Sequence, residues 1–247
     1  MGRGTNSISS SQTAVGRRRR RTLLIARRPL LFALRDDPRF ALQRRVALDV
    51  DSILYPLLDA MAVLPGGEKV SMRDCKTWEM LVDQCGGVPE MLKLFNQAMQ
   101  YEHMRRFSPY PGVAEGLKAW REHGITIDIM TSREPSLAEG TARWLADFEI
   151  EYESFTCDLE TDKVEHCRQL GIETIVDDHP QTLANAHAAG LEALSLAWPF
   201  NGEVARARGL RRAGNWNDLA GDALDAVQSR VLRQQYVLAS KTAPSTV

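Results

Sequence analysis

The sequence predicts a three-layer, Rossmann-like α/β fold, in which a parallel sheet lies between helices and a small helical cap is inserted after the first strand. Short apolar segments rich in β-branched residues alternate with helical segments at crossover lengths, which is typical of a parallel sheet covered by helices. The one long departure from this alternation is a helical stretch over residues 55–108, between the first and second predicted strands.

The length and composition are those of a globular protein. The 247 residues suffice for one domain with a full core, and the 44% apolar and 26% charged fractions exclude disorder throughout the chain. No apolar run reaches the length of a membrane span. Residues 1–45 carry a net charge of +10 and residues 46–247 a net charge of −11. The acidic body argues against nucleic-acid binding through a broad basic face.

Five short segments predict the strands, and helices are predicted between them. The strands are expected at residues 46–50, 125–130, 152–156, 174–177 and 194–197, the first helix at 52–62 and the closing helix at 218–238. The chain is therefore expected to consist of four parts. They are a basic arm (1–45), a catalytic core in two pieces (46–54 and 109–240), a helical cap (55–108) and a tail (241–247). Active sites of open parallel sheets form at the C-terminal ends of the strands, so the chemistry is expected there.

The basic arm is predicted to be disordered and separate from the chemistry. Its run Arg17–Arg21 could contact nucleic acid or anionic lipid, and its Arg-rich, acid-poor composition also suits an organelle transit peptide. A solvated tail on a cytoplasmic protein is the simpler interpretation. The spacing of the four cysteines fits no zinc motif, and free thiols in a reducing cytosol are expected.

Acidic residues follow two of the predicted strands. Asp49 and Asp51 end the first strand, and Asp177 and Asp178 end the fourth. If the two strands are neighbours, three or four carboxylates converge and repel one another unless a cation neutralises them. Oxygen ligands of this kind favour Mg²⁺. Either pair alone could instead cap a helix or lie in a surface turn.

Hydroxyl and basic side chains accompany these acids. Thr131, Ser132 and Arg133 end the second strand, where a hydroxyl can donate to a phosphate oxygen or cap the following helix. Lys163 lies shortly before the fourth strand. Beside a carboxylate nucleophile, a lysine holds the acid ionised and neutralises phosphoryl oxygens, whereas alone it is usually a solvated surface charge.

Taken in order, these motifs resemble the haloacid dehalogenase-like phosphohydrolase superfamily over residues 46 to about 200. The resemblance implies that Asp49 attacks phosphorus and forms an aspartyl-phosphate. It implies that Asp51 protonates the leaving oxygen, later activates water, and binds Mg²⁺ through its backbone carbonyl. By the same resemblance, Thr131 holds the phosphate and Lys163 is the basic residue. The acid at Asp51 favours a phosphatase over a dehalogenase.

The resemblance also completes the expected metal and substrate sites. Asp178 matches the last metal ligand, with Asp177 as a second candidate, so that Asp49, Asp51 and these two acids are the expected metal residues. Ser132 and Arg133 are expected to join Thr131 and Lys163 in binding the substrate. Ser52 stands where the superfamily usually has Gly or another small residue, which is a mild departure.

Further motifs look like the 5′(3′)-deoxyribonucleotidase group, whose members carry a small helical cap and hydrolyse nucleoside monophosphates. They are Pro109 to Val113, Thr131-Ser132, Asp162-Lys163, Ile175 to Asp178 and Trp198 to Asn201. Arg133 departs from the Pro usual in that group. Five aromatic residues of the insert could form a base-stacking face or belong to its core, namely Tyr55, Trp78, Phe95, Tyr101 and Phe107. His179 could support the metal ligands.

The sequence therefore predicts a Mg²⁺-dependent phosphomonoesterase acting on a 5′-nucleotide or another small phosphate ester, without a membrane partner. One alternative is a phosphatase acting on nucleic-acid ends, with the Arg-rich arm as its only contact to nucleic acid. The other is a catalytically degenerate binding or regulatory protein that keeps the fold. The oligomeric state is left open by the sequence.

Overall fold

A computed structural model describes residues 44–157 and 162–242 of the chain, with side chains described as far as residue 233. The strands are Arg45–Leu48 (β1), Thr126–Thr131 (β2), Ser154–Cys157 (β3), Thr174–Val176 (β4), Glu192–Leu196 (β5) and Arg211–Ala213 (β6). Within these residues they form one parallel sheet in the order β3-β2-β1-β4-β5-β6. The predicted parallel α/β fold is confirmed.

Ten α-helices connect or follow these strands in the described part of the chain. They are Leu57–Ala62 (α1), Trp78–Cys85 (α2), Val88–Ala98 (α3), Tyr101–Met104 (α4), Val113–Glu122 (α5), Ala138–Asp147 (α6), Lys163–Leu170 (α7), Pro180–Ala188 (α8), Gly202–Arg208 (α9) and Trp216–Thr242 (α10). Short 3-10 turns lie at Pro135–Leu137 and Pro199–Asn201. Helices α1 to α4 lie between β1 and β2 in the chain, where the sequence predicts a helical insert.

Apolar side chains cover both faces of the sheet, as the continuous apolar run of β1 predicts. Successive residues of a strand point to opposite faces. Val46 and Leu48 accordingly join a large cluster that includes Trp120 on α5 and Trp216 on α10, whereas Ala47 belongs to a second cluster with residues of α7 and α8. Both faces of the central strand are therefore shielded from water.

The turn after β1 differs from the predicted helix over 52–62, because α1 begins only at Leu57. The N–H groups of Leu54 and Tyr55 both donate to the carbonyl of Val50, at 2.9 and 2.8 Å. Ser52 has a φ of 55°, in the left-handed region that costs a non-glycine residue about 1 kcal/mol. Asp51 lies within the tight turn that results, where it forms an isolated bridge with Tyr55.

Strand β6 is absent from the sequence prediction. Of its three residues, Arg211 and Arg212 are exposed and only Ala213 is buried, so it has no apolar run to mark it. Of the arm that is predicted to be disordered, residues 1–45, residues 1–43 lie outside the described residues, as does most of the predicted tail, 243–247. The last residue of the arm, Arg45, is instead the first residue of β1 and donates from Nε to the buried carboxylate of Asp128 at 2.8 Å, so the core begins there. None of the helices in the described ranges combines the length and the apolar character that crossing a membrane would require.

Candidate active site

The site lies at the C-terminal edge of the sheet, where β1 is flanked by β2 and β4. Asp49 follows β1, and its backbone N–H donates to the carbonyl of Val176, the last residue of β4, at 3.0 Å. Asp177 and Asp178 follow that strand directly. Carboxylate oxygens of Asp49, Asp177 and Asp178 all lie within 4.8 Å of one another. The convergence predicted from the sequence is therefore present in the structure.

Lys163 joins this cluster from the first turn of α7. Its Nζ donates to Oδ1 of Asp49 at 2.8 Å and to Oδ2 of Asp177 at 2.7 Å. The preceding Asp162 caps α7 by accepting a hydrogen bond from the N–H of Val164 at 2.9 Å, which fixes the start of the helix. The lysine side chain is 7% exposed, so it is a buried member of the cluster and not a surface charge.

The cluster carries more negative charge than Lys163 can offset. Burial raises the pKa of Asp49 to about 7; Lys163 opposes this shift, while Asp177 and Asp51 add to it. Burial and the neighbouring Asp49 and Asp177 also raise the pKa of Asp178 well above its usual range. Burial alone would lower the pKa of Lys163, but its two carboxylate partners outweigh that effect and raise it. A bound cation would relieve the remaining repulsion.

Asp51 is held by Arg133, which lies two residues beyond the end of β2. The guanidinium donates from Nε to Oδ2 at 2.9 Å and from Nη2 to Oδ1 at 2.6 Å, a bidentate pair. The Arg133 side chain is 1% exposed and that of Asp51 19%. The predicted substrate-binding role of Arg133 stays a prediction, but its guanidinium is directed to Asp51.

The two hydroxyl residues at the end of β2 differ in their surroundings. Thr131 is fully buried, and its Oγ1 has no hydrogen-bond partner among the described residues. Ser132 is exposed. A buried polar atom without a partner is costly and is often retained at a functional site. Thr131 therefore offers a donor for a bound oxygen.

Asn201 and Trp198 also support the site, although in the sequence they indicate only a resemblance to a subgroup. The buried amide of Asn201 donates to the carbonyl of Asp178 at 3.3 Å and to Oγ of Ser195 at 2.8 Å, which ties the loop after β4 to β5. The indole of Trp198 donates to the carbonyl of Ser52 at 2.8 Å. The only feature of the sequence that points to the supporting role of Asn201 is its position after Trp198-Pro199-Phe200.

One of the five predicted aromatic residues, Trp78, contacts the residue that follows the acidic pair after β4, and a second, Phe95, packs against Trp78. The ring of Trp78 lies 5.8 Å from that of Phe95 and 5.8 Å from that of His179, which follows Asp178 in the chain. Trp78 is 43% exposed. The other three do not contact Trp78 among the ring contacts of the described residues: Tyr55 packs against Trp144 and Phe107 and lies beside Arg133, and Tyr101 lies under Arg143.

Solved structures with similar folds identify the fold family. A predicted phosphatase from Clostridium acetobutylicum matches with a TM-score of 0.54 and 12% identity over 74% of this chain and 99% of that chain. The fold is that of the haloacid dehalogenase-type hydrolases. A hydrolase of that family from Deinococcus radiodurans R1, with bound phosphate and sodium, matches with a TM-score of 0.52 and 19% identity, over 75% and 97% of the two chains. A predicted phosphoglycolate phosphatase from Haemophilus somnus 129PT matches with a TM-score of 0.51 and 15% identity, over 72% of this chain and 96% of that chain.

No protein-family model matches the chain, and no curated protein is significantly similar to it in sequence. At identities of 12% to 19%, the likeness establishes the haloacid dehalogenase-type fold alone. The deoxyribonucleotidase subgroup stays a prediction. The chemistry has to be argued from the side chains at the strand ends.

Proposed function

We propose that the chain is a Mg²⁺-dependent phosphomonoesterase that acts through a phosphorylated Asp49. The observation that carries the proposal is the placement of this carboxylate. It is buried at the end of the central strand, its Oδ1 is 2.8 Å from the ammonium of Lys163, and it lies within 4.8 Å of two further carboxylates. No described residue donates a hydrogen bond to Oδ2, which is therefore available to attack phosphorus.

The donor set fits a hard divalent cation. Asp49, Asp177 and Asp178 present carboxylate oxygens close enough to one another to share an ion, and oxygen donors of this kind suit Mg²⁺. The backbone carbonyl of Asp51 would complete the protein ligands. When bound, the cation would offset the charge of the carboxylates and of a phosphate ester, so that two anions can meet.

Asp178 is the better candidate for direct ligation. Both oxygens of Asp177 already accept hydrogen bonds, Oδ2 from Lys163 and Oδ1 from the N–H of His179 at 2.8 Å. The carboxylate of Asp178 accepts none from the described residues, and its pKa is raised by burial and by its neighbours. An unpaired carboxylate in such surroundings is the one that gains most from a cation.

The side chains of the site can perform both displacements. An oxygen of Asp49 attacks phosphorus, and the bond to the leaving oxygen breaks as that oxygen takes a proton from Asp51. Asp51, now a carboxylate, removes a proton from water, whose oxygen attacks the phosphorus and releases phosphate and Asp49. Lys163 and the hydroxyl of Thr131 stabilise the phosphoryl oxygens in both steps. The acid and the nucleophile are regenerated in each cycle.

We also propose that the substrate is a nucleoside 5′-monophosphate or a phosphate ester with a similar planar group. The exposed ring of Trp78, with Phe95 and His179 beside it, lies next to the loop that carries Asp178. A planar base could stack on this surface while its phosphate reaches Asp49. A cytoplasmic location is proposed as well, supported by buried thiols of Cys75, Cys85 and Cys167 that form no disulfide.

Phosphate release from a set of esters tests both parts of this proposal. Nucleoside 5′-monophosphates, ribose 5-phosphate and glycerol 3-phosphate are compared with Mg²⁺ and with a chelator. We expect Mg²⁺-dependent release that Asp49→Asn abolishes, with a higher kcat/KM for nucleotides than for ribose 5-phosphate. Trp78→Ala should remove that preference, whereas Leu92→Ala, at another exposed apolar residue of the insert, should preserve it.

The outcomes separate the activity from the specificity. Full release by the Asp49→Asn variant, or no release from any ester by the wild type, would contradict the phosphomonoesterase. Equal kcat/KM for nucleotides and ribose 5-phosphate would contradict only the nucleotide substrate. Release that continues undiminished in the chelator would contradict the role of the divalent cation.

A further inference from the structure

The contacts of Arg133 suggest a role that neither the fold nor the nucleophile explains. We propose that Arg133 is a positioning residue, which fixes the carboxylate of Asp51 for both proton transfers, and that Thr141 in turn fixes Arg133. This inference rests on the proposed phosphatase function. It departs from the expectation that Arg133 binds the substrate itself.

The guanidinium of Arg133 is engaged on several sides. Nε and Nη2 donate to the two oxygens of Asp51, and Nη1 donates to Oγ1 of Thr141 at 2.9 Å and to the sulfur of Met104 at 3.0 Å. Its central carbon lies 5.3 Å from the ring centre of Tyr55. With 1% of the side chain exposed, Arg133 has little surface left for a substrate.

Thr141 is placed to act as an acceptor for Arg133. It lies on α6 with no exposed surface, and its Oγ1 donates its only proton to the carbonyl of Leu137 at 2.8 Å. The lone pairs of this oxygen are then directed to the guanidinium, which has donors alone. Arg133 is thereby connected to the helix that follows β2, and the orientation of its planar group is fixed.

A fixed guanidinium restricts the carboxylate of Asp51. Asp51 lies in the tight turn after β1 and is the most exposed of the site acids that form an ion pair. A bidentate pair fixes both the position and the plane of a carboxylate, which a single ammonium cannot do. An acid that first gives a proton to the leaving oxygen and then takes one from water needs this fixed direction.

Leaving-group dependence distinguishes positioning of the acid from binding of the phosphate. The full chain is assayed with Mg²⁺ on glycerol 3-phosphate, whose alkoxide needs a proton to leave, and on 4-nitrophenyl phosphate, whose phenolate needs little help. The variants are Arg133→Gln, Arg133→Lys, Thr141→Val and Thr141→Ser. Asp51→Asn serves as the reference for loss of the acid.

We expect the two Arg133 variants to lower kcat/KM for the alkyl ester by about 100-fold and for the aryl ester by about 10-fold or less, with KM nearly unchanged. The lysine variant should not rescue activity, since it keeps the charge but not the planar fork. Thr141→Val should show the same pattern at about 10-fold for the alkyl ester, and Thr141→Ser should behave as the wild type. Thermal unfolding confirms which variants are folded.

Three results would overturn the inference. An equal loss on both esters with a raised KM would place Arg133 on the phosphate. Unchanged kinetics in a folded Arg133→Gln or Thr141→Val variant, while Asp49→Asn is inactive, would remove the positioning role and keep the phosphatase. If Asp49→Asn retains full activity, the proposed function itself fails, so the two failures are distinguishable.

Discussion

Asp49→Asn is expected to make the cation-free protein less sensitive to pH, and more stable at pH 8, although it removes the proposed nucleophile. Burial raises the pKa of Asp49 from an ordinary 3.8 to about 7. The folded state thus binds this proton more tightly than the unfolded chain, so the free energy of unfolding falls as pH rises from about 4 to about 7. This difference in pKa between the unfolded and the folded state corresponds to about 4 kcal/mol in the free energy of unfolding. About 3 kcal/mol of this stabilisation is lost between pH 5 and pH 8.

Urea unfolding in a chelator, followed by tryptophan fluorescence at pH 5 and pH 8, measures this contribution. Other groups titrate in both proteins, so the informative quantity is the free energy of unfolding of the variant minus that of the wild type. We expect this difference to increase by about 3 kcal/mol from pH 5 to pH 8. A difference that is independent of pH, or that decreases, would refute the assignment of a raised pKa to Asp49.

Asp51→Asn provides a matched control, because the same chemical change two residues away should have the opposite effect. It removes one member of the bidentate pair and leaves the guanidinium of Arg133, which is 1% exposed, without its anion. Breaking a buried pair in this way is expected to lower the free energy of unfolding by about 3 kcal/mol. If both substitutions shift stability in the same direction at pH 8, this description of the charges is wrong.

Three further predictions concern the same cluster. Lys163→Met leaves the carboxylates of Asp49 and Asp177 without their cation and should lower the free energy of unfolding, measured in urea, by about 3 kcal/mol at pH 8, and by less at pH 5, where Asp49, whose pKa is raised, can be protonated. An equal cost at both pH values would contradict this. Thr131→Val removes a buried hydroxyl that has no partner among the described residues, so the free energy of unfolding should change by less than about 1 kcal/mol. The rate of phosphate release should nevertheless fall at least about tenfold, and an unchanged rate would contradict a contact between this hydroxyl and phosphate. Mg²⁺ at about 100 times its Kd should raise the free energy of unfolding of the wild type by about 3 kcal/mol, which thermal unfolding measures. Asp178→Asn should remove most of this stabilisation, and an undiminished stabilisation in the variant would place the cation elsewhere.

The sheet could be predicted where its strands are buried on both faces. Val46 and Leu48 lie in one apolar cluster and Ala47 in the other, so these three consecutive positions are all apolar and are conspicuous in the sequence. At the edge of the sheet, β6 was missed because two of its three residues are exposed arginines, Arg211 and Arg212. A local apolar pattern in the sequence indicates buried residues, and this short edge strand has only one buried residue.

The acids of the site could be predicted for a similar reason, but their partners could not. Asp49 and Asp177 each follow an apolar strand, and the order of parallel strands then brings them together. The pairing of Arg133 with Asp51 joins residues 82 positions apart, and it depends on a tight turn and on Thr141 of α6. No local pattern encodes a contact of this kind, so the sequence did not reveal that Arg133, which is predicted to bind the substrate, pairs with Asp51.

A phosphoryl group attached to Asp49 can be located on the protein directly. The full chain is mixed with 4-nitrophenyl phosphate and Mg²⁺, quenched in acid, digested and examined by mass spectrometry. We predict phosphate on the peptide that contains Asp49, attached to that residue, and none on the Asp49→Asn variant. Phosphate on another residue, or steady release of phosphate by the variant at the wild-type rate, would contradict the claim.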